Sequence, residues 1–186
     1  MPSSRLPALL VSVVAACSLA GVAAAQPEMG SEFSLAARTA LRFVVVLVIN
    51  LVLGGALLLL APAYARRMVA AIRDDTGGAF LWGLLVGIGV PIALVLIAIT
   101  IIGLVVTIPG LIVLFFLGLI GNAVTICWIG GALAGRDDPD GVAVGVGAVV
   151  LAVVGAVPIL GNLVTTLLGF FGLGVVGRDL YSSYRD

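Results

Sequence analysis

The sequence predicts an all-α, polytopic integral membrane helical bundle that closes with a Pro-broken helical hairpin. Three observations lead there. The 186 residues are 62% hydrophobic and 10% charged, with a mean hydropathy of +1.34. A soluble domain of this length needs far more polar surface, so lipid is the solvent for most of the chain. The charged residues fall in short clusters separated by apolar runs of spanning length. Proline and glycine stand where such runs must bend or turn.

Residues 1–25, MPSSRLPALLVSVVAACSLAGVAAA, have a positive start at Arg5, an apolar middle from Leu6 to Ala16 and small residues Ala23-Ala24-Ala25 before Gln26. That is the pattern of a secretory signal peptide. Two alternatives stay open: a lipoprotein signal, since Val14-Ala15-Ala16-Cys17 resembles a lipobox, and an uncleaved helix. Each places residue 26 onward outside the cell. Residues 26–40 are a short external arm carrying Glu28, Glu32 and Arg38, too small to be a domain.

The membrane domain covers 41–178. Its first span is 41–60, about twenty residues at 1.5 Å each, matching a hydrocarbon core of about 30 Å. Pro62 stops it. AYARRMVAAIRDDTGG (63–78) gathers Arg66, Arg67 and Arg73 around Met68, Val69 and Ile72, and reads as a loop with a short interfacial helix. The positive-inside rule puts this loop in the cytoplasm, in agreement with an exported N-terminus.

Phe80 to Ala134 contains no charged residue over 55 positions, room for two spans. Val106-Thr107-Ile108-Pro109-Gly110 offers the external turn, giving spans of about 80–105 and 110–133. Within the first of these, Pro91 deprives the Gly87 carbonyl of its partner, and Gly87 and Gly89 tolerate the resulting kink. Thr100 is expected to return its hydroxyl to the Leu96 carbonyl. Arg136-Asp137-Asp138-Pro139-Asp140-Gly141 is a cytoplasmic turn; the three aspartates lack the spacing and the closing Glu of a calcium loop.

Val142 to Val176, as one straight helix, would reach about 52 Å, beyond any bilayer. Pro158 divides it into arms of about 142–157 and 162–176 with a turn at Ile159-Leu160-Gly161, a hairpin that either spans or re-enters. Both forms return the 179–186 tail to the cytoplasm. Pro91 with Gly103 and Pro158 with Gly169 form an imperfect echo, either chance in a chain so rich in Val, Leu and Gly or an internal repeat. Tyr64, Trp82, Tyr181 and Tyr184 fall at the ends assigned to the cytoplasm, where aromatic anchors belong.

Chemistry is sparse. There is no Lys or His, and no Asp, Glu, Lys or His falls within a proposed span. Proton relays, ion-coupled transporters and intramembrane hydrolases need ionisable groups at depth, so an enzyme is not expected, and neither is a cofactor or metal. The zero formal net charge removes the usual argument for nucleic acid. Cys127 lies in an apolar span, where a thiol stays neutral and unreactive. Polar span residues most simply bond between helices; alternatively Asn122, Asn162, Thr165 and Thr166 line a polar pocket near the hairpin tip. Gly83-x-x-x-Gly87, Gly131-x-x-x-Gly135 and Gly141-x-x-x-Gly145 are small-residue packing patterns, within one subunit or between copies in a homo-oligomer.

Together LLAPAYARR, VGIGVPIALVLIAITIIG and VPILGNLVTTLLGFFGLG resemble an uncharacterised family of archaeal and bacterial polytopic membrane proteins. In that family the membrane region often follows a bactofilin-like, polymer-forming β-helical domain. Residues 26–40 are too few for such a β-helix. The resemblance implies an envelope- or cytoskeleton-associated membrane module, with no catalytic residues to carry over.

The expectation is therefore a multi-pass cell-membrane protein, mature N-terminus outside and C-terminus cytoplasmic, that acts without enzymatic activity as an anchor or scaffold. Its partners would be membrane lipid and envelope or filament proteins, met through Arg66, Arg67, Arg73, Tyr181 and Tyr184. Those arginines have topology determination as their simplest role. The competing class is a small channel or transporter for an uncharged or lipid-like solute.

Overall fold

The computed structural model describes residues 35–185, and these form an all-helical bundle. The signal segment, Cys17 and most of the external arm lie outside the described residues. In chain order the helices are α1 (Leu35–Leu60), α2 (Pro62–Asp74), α3 (Thr76–Leu84), a π turn (Leu85–Gly89), α4 (Val90–Ala98), α5 (Ile101–Ala134), α6 (Gly141–Ala156) and α7 (Pro158–Arg185). Four stretches are long and apolar enough to cross a bilayer: Ala36–Leu60, Thr76–Ala98, Val105–Ala134 and Gly161–Tyr184. The protein is thus a multi-pass membrane protein by the length and composition of its helices.

Helix α1 ends at Ala61, whose extended φ of −141° lets Pro62 take the first turn of α2 without losing a needed N–H. Ala65, Met68, Val69 and Ile72 recur at three- and four-residue spacing along α2 and are buried. The short helix expected at 63–78 is present as α2. The apolar stripe of α2 faces the bundle, where Met68 and Ile72 meet Val124, Val175 and Val176, and its arginines face outward. Asp75 then ends one helix and starts the next, its Oδ1 accepting from Gly78 N at 2.8 Å.

Where a kink was expected at Pro91, the helix carries a widened π turn over Leu85–Gly89. Val90 N–H donates to Leu85 O, five residues back, so the helix has already given up its regular ladder where the proline ring arrives. The turn expected at 106–110 lies elsewhere. It falls at Ile99–Thr100, and Pro109 sits inside α5. Thr100 adopts an extended ψ of 145° and caps α5: its Oγ1 accepts from Gly103 N at 3.0 Å and donates to Ile97 O at 2.9 Å, not to Leu96. A Pro-Gly pair that would end a helix in water is tolerated here because neighbouring groups resatisfy the freed backbone. Thr107 Oγ1 reaches both Gly103 O (2.8 Å) and Leu94 O (3.1 Å), tying the two arms of the α4–α5 hairpin together.

Helix α5 has 34 residues, about 51 Å of rise against a core of about 30 Å, and its apolar stretch of spanning length is Val105–Ala134. It stops at Gly135, whose φ of +63° is the left-handed cap that a side chain disfavours; Arg136 N then reaches back to Gly131 O at 2.9 Å. Asp140 caps α6 by accepting from Ala143 N. Helix α6 is only 16 residues, about 24 Å, and lies between α1 and α5 with seven of its residues buried. The single extended residue Val157 (ψ 115°) turns the chain, and Pro158 opens α7. The Pro-broken hairpin is therefore present. Its turn lies before Pro158, whereas Ile159-Leu160-Gly161 are already helical, and the second arm continues through the expected tail to Arg185.

Candidate functional site at the polar end of the bundle

The charged side chains between residues 61 and 184 collect at one end, where α2, the start of α3, the α5–α6 turn and the end of α7 meet. Most hold the helices to one another. Arg73 is a clamp on the α5–α6 turn: its Nη2 donates to Arg136 O at 2.7 Å, and its Nη1 to Asp137 O at 3.1 Å and Asp137 Oδ1 at 3.0 Å. Arg136 pairs with Asp140 within the α5–α6 turn. Arg67 on α2 pairs with Asp179 on α7 at 3.2 Å, and Asp75 with Arg178 at 2.9 Å. Two ion pairs thus strap the last turns of α7 to both sides of the α2–α3 corner.

Between those straps lies a pocket of about 310 Å³. Its rim carries Arg67, Arg178, Asp74, Asp75 and Asp179, and its floor Met68 and Val175. Aromatic rings lie next to its lining residues along the same helices. Trp82 stacks on Tyr181 with centroids 5.3 Å apart, and the Arg67 guanidinium lies 5.3 Å from the Tyr64 ring centre. Half-burial pushes the Tyr64 hydroxyl above its ordinary pKa, with Asp179 adding to the rise and Arg67 opposing it. The Asp75 carboxyl is held below the usual range, first by the Gly78 N–H and then by Arg178.

The five residues named as partner contacts all lie at this end, but in different situations. Arg67 is committed to a strap, Arg73 to the α5–α6 turn and Tyr181 to Trp82. Arg66 is exposed with no ion-pair or hydrogen-bond partner among the described residues, and Tyr184 is 91% exposed. Asp74, Asp75, Arg178, Asp179 and Ser182 escaped sequence reasoning as site residues. Their one signal was charge of opposite sign at two helix ends more than 100 positions apart.

The polar residues proposed for a pocket at the hairpin tip are not gathered. Asn162 is exposed. Thr165 and Thr166 donate to carbonyls of their own helix, Gly161 O and Asn162 O, at 2.7 Å each. Asn122 is half-buried beside Gly121, which meets Gly172 and Leu173, ten residues or about 15 Å along α7 from Asn162. Thr125, by contrast, does bond between helices, from Oγ1 to Leu168 O at 3.3 Å.

Comparison with known proteins adds one match. The family described as "Domain of unknown function (DUF8173)" matches residues 1–185, and the chain belongs to that family. No curated protein and no solved structure matches the chain.

Proposed function

We propose that this protein is a non-enzymatic membrane anchor or scaffold of the cell membrane, and that it holds an envelope or filament protein at its polar end. In this reading the polar end is cytoplasmic, by the excess of arginine in the loop that α2 forms, and the N-terminus is outside. One observation supports the reading above the rest. Arg67, Arg73, Arg136 and Arg178 are all engaged within the bundle, whereas Arg66 stands exposed and unpaired and Tyr184 projects from the last turn of α7. A cation and an aromatic ring left free beside a rigid set of ion pairs are suited to contact with another protein.

The test is affinity capture of tagged protein from native membranes in mild detergent, for the parent and for Arg66→Gln with Tyr184→Ser. The expected result is a stoichiometric envelope or filament protein that the double variant loses while its thermal unfolding is unchanged. Equal recovery by both proteins would remove the reading. Orientation is checked separately by Ser183→Cys, expected to react with an impermeant thiol reagent only from the cytoplasmic side; labelling from outside would invert the topology.

A further inference from the structure

We propose that the pocket between α2 and the end of α7 binds a phosphate–ammonium zwitterion, the headgroup of a phosphatidylethanolamine-type lipid. The inference rests on the membrane fold and not on the scaffold reading, since it uses different residues.

The charge pattern comes first. The rim holds two guanidinium groups and three carboxylates within one pocket of about 310 Å³. Arg67 spends Nη2 on Asp179, and Arg178 spends Nη1 on Asp75. A guanidinium has five N–H donors, so both arginines keep donors for a phosphodiester without opening either strap. Asp74 is the remaining carboxylate: it is exposed, lines the pocket and has no hydrogen-bond or ion-pair partner among the described residues. A ligand carrying phosphate alone would face this unneutralised aspartate. A ligand carrying phosphate and a primary ammonium satisfies both halves of the rim.

Location is the second argument. Trp82 packs on Tyr181, the residue before the pocket-lining Ser182, and Tyr64 lies under the pocket-lining Arg67. Aromatic side chains of this kind mark the headgroup level of a bilayer. The floor of Met68 and Val175 is apolar, as the glycerol and upper acyl chain of a lipid require. A quaternary ammonium has no N–H to donate to Asp74, so a choline headgroup lacks the bond that an ethanolamine headgroup makes.

The test uses the full chain purified in detergent and presented with equimolar phosphatidylethanolamine, phosphatidylcholine and phosphatidylglycerol of matched acyl chains, with retention read by native mass spectrometry. Ethanolamine lipid should be retained over the other two. Asp74→Asn should lower that retention about fivefold, the scale of one partly exposed ion pair, and Asp74→Glu should restore it. Asp74 has no bond to lose, so the variant keeps the fold, which an unchanged unfolding temperature verifies. Free O-phosphoethanolamine distinguishes the sources. Displacement of the lipid with the same Asp74 dependence would identify a soluble zwitterion as a ligand of the site, and failure to displace it would identify the lipid. Equal retention of all three lipids, or ethanolamine-lipid retention unmoved by Asp74→Asn, would overturn the proposal.

Discussion

Helix α6 and the α4–α5 hairpin arm are both almost wholly apolar, yet they occupy opposite environments. In α6, Ala143, Val144, Gly147, Ala148, Leu151, Ala152 and Gly155 are buried. In the arm, Val95, Ile99 and Val105 are 65%, 78% and 73% exposed, and Phe115 and Phe116 are each about half exposed. Hydrophobicity does not separate the two; side-chain size does. Lipid tails are as apolar as leucine, so a large aliphatic side chain gains little by leaving them. What draws helices together is close backbone approach, and that is open to residues with little or no side chain. A methyl added at Gly147 would stand 2.1 Å from Ile126 O, and one at Gly130 would stand 1.7 Å from Ala143 O. The same contact recurs where Gly172 meets Gly121 O.

The comparison is broken most severely by enlarging the core glycines. Gly147→Leu must push α6 off α5, an overpacking cost of about 3 kcal/mol or more, and should abolish the monodisperse peak in detergent chromatography. Gly118→Leu, in the arm helix where a Cβ meets nothing within 4 Å, should leave the peak intact. If both variants behave alike, size is not what sorts the helices. A smaller effect is expected at Arg73→Gln, which removes the charged donor from the α5–α6 turn: a loss of about 1 kcal/mol and faster proteolytic nicking at 136–140. Thr107→Val keeps the shape and removes the bond from Thr107 to Leu94 O. It should cost about 0.6 kcal/mol in reversible unfolding, and a larger loss would mean that the arm is held mainly by this bond. Phe115→Ala on the exposed flank of the arm should stay within about 0.5 kcal/mol of the parent, and a core-sized loss would show that a protein surface and not lipid covers it.

Sequence reading succeeded where a property is additive along the chain. The all-α membrane class, the stop at Pro62, the charged turn at 136–141 and the hairpin broken before Pro158 all follow from local composition and from residues that break helices wherever they stand. It failed where a residue has two readings and a neighbour chooses between them. Pro109-Gly110 reads as a turn, yet the chain turns ten residues earlier because Thr100 caps α5 and Thr107 links across to Leu94. The stripe of Met68, Val69 and Ile72 suits lipid or protein equally, and Val124, Val175 and Val176 supply the protein surface that takes it. The three small-residue patterns show the same limit: a Cβ added at Gly83 would collide with Phe170 O, whereas one added at Gly141 or Gly145 would meet nothing within 4 Å.

Composition and the placement of proline and charge were enough to establish a helical membrane protein and the approximate ends of its apolar stretches. Transfer of a residue into a bilayer and breaking of a helix by proline are one-residue energies that need no partner. Helix packing, in contrast, sets which described arginines are left unpaired, which glycines carry the contacts between helices, and that Arg67, Asp74, Asp75, Arg178 and Asp179 share one pocket. Those are pairwise facts. Asp75 and Arg178 are 103 positions apart, and only the way α3 and α7 pack against each other sets the 2.9 Å between them.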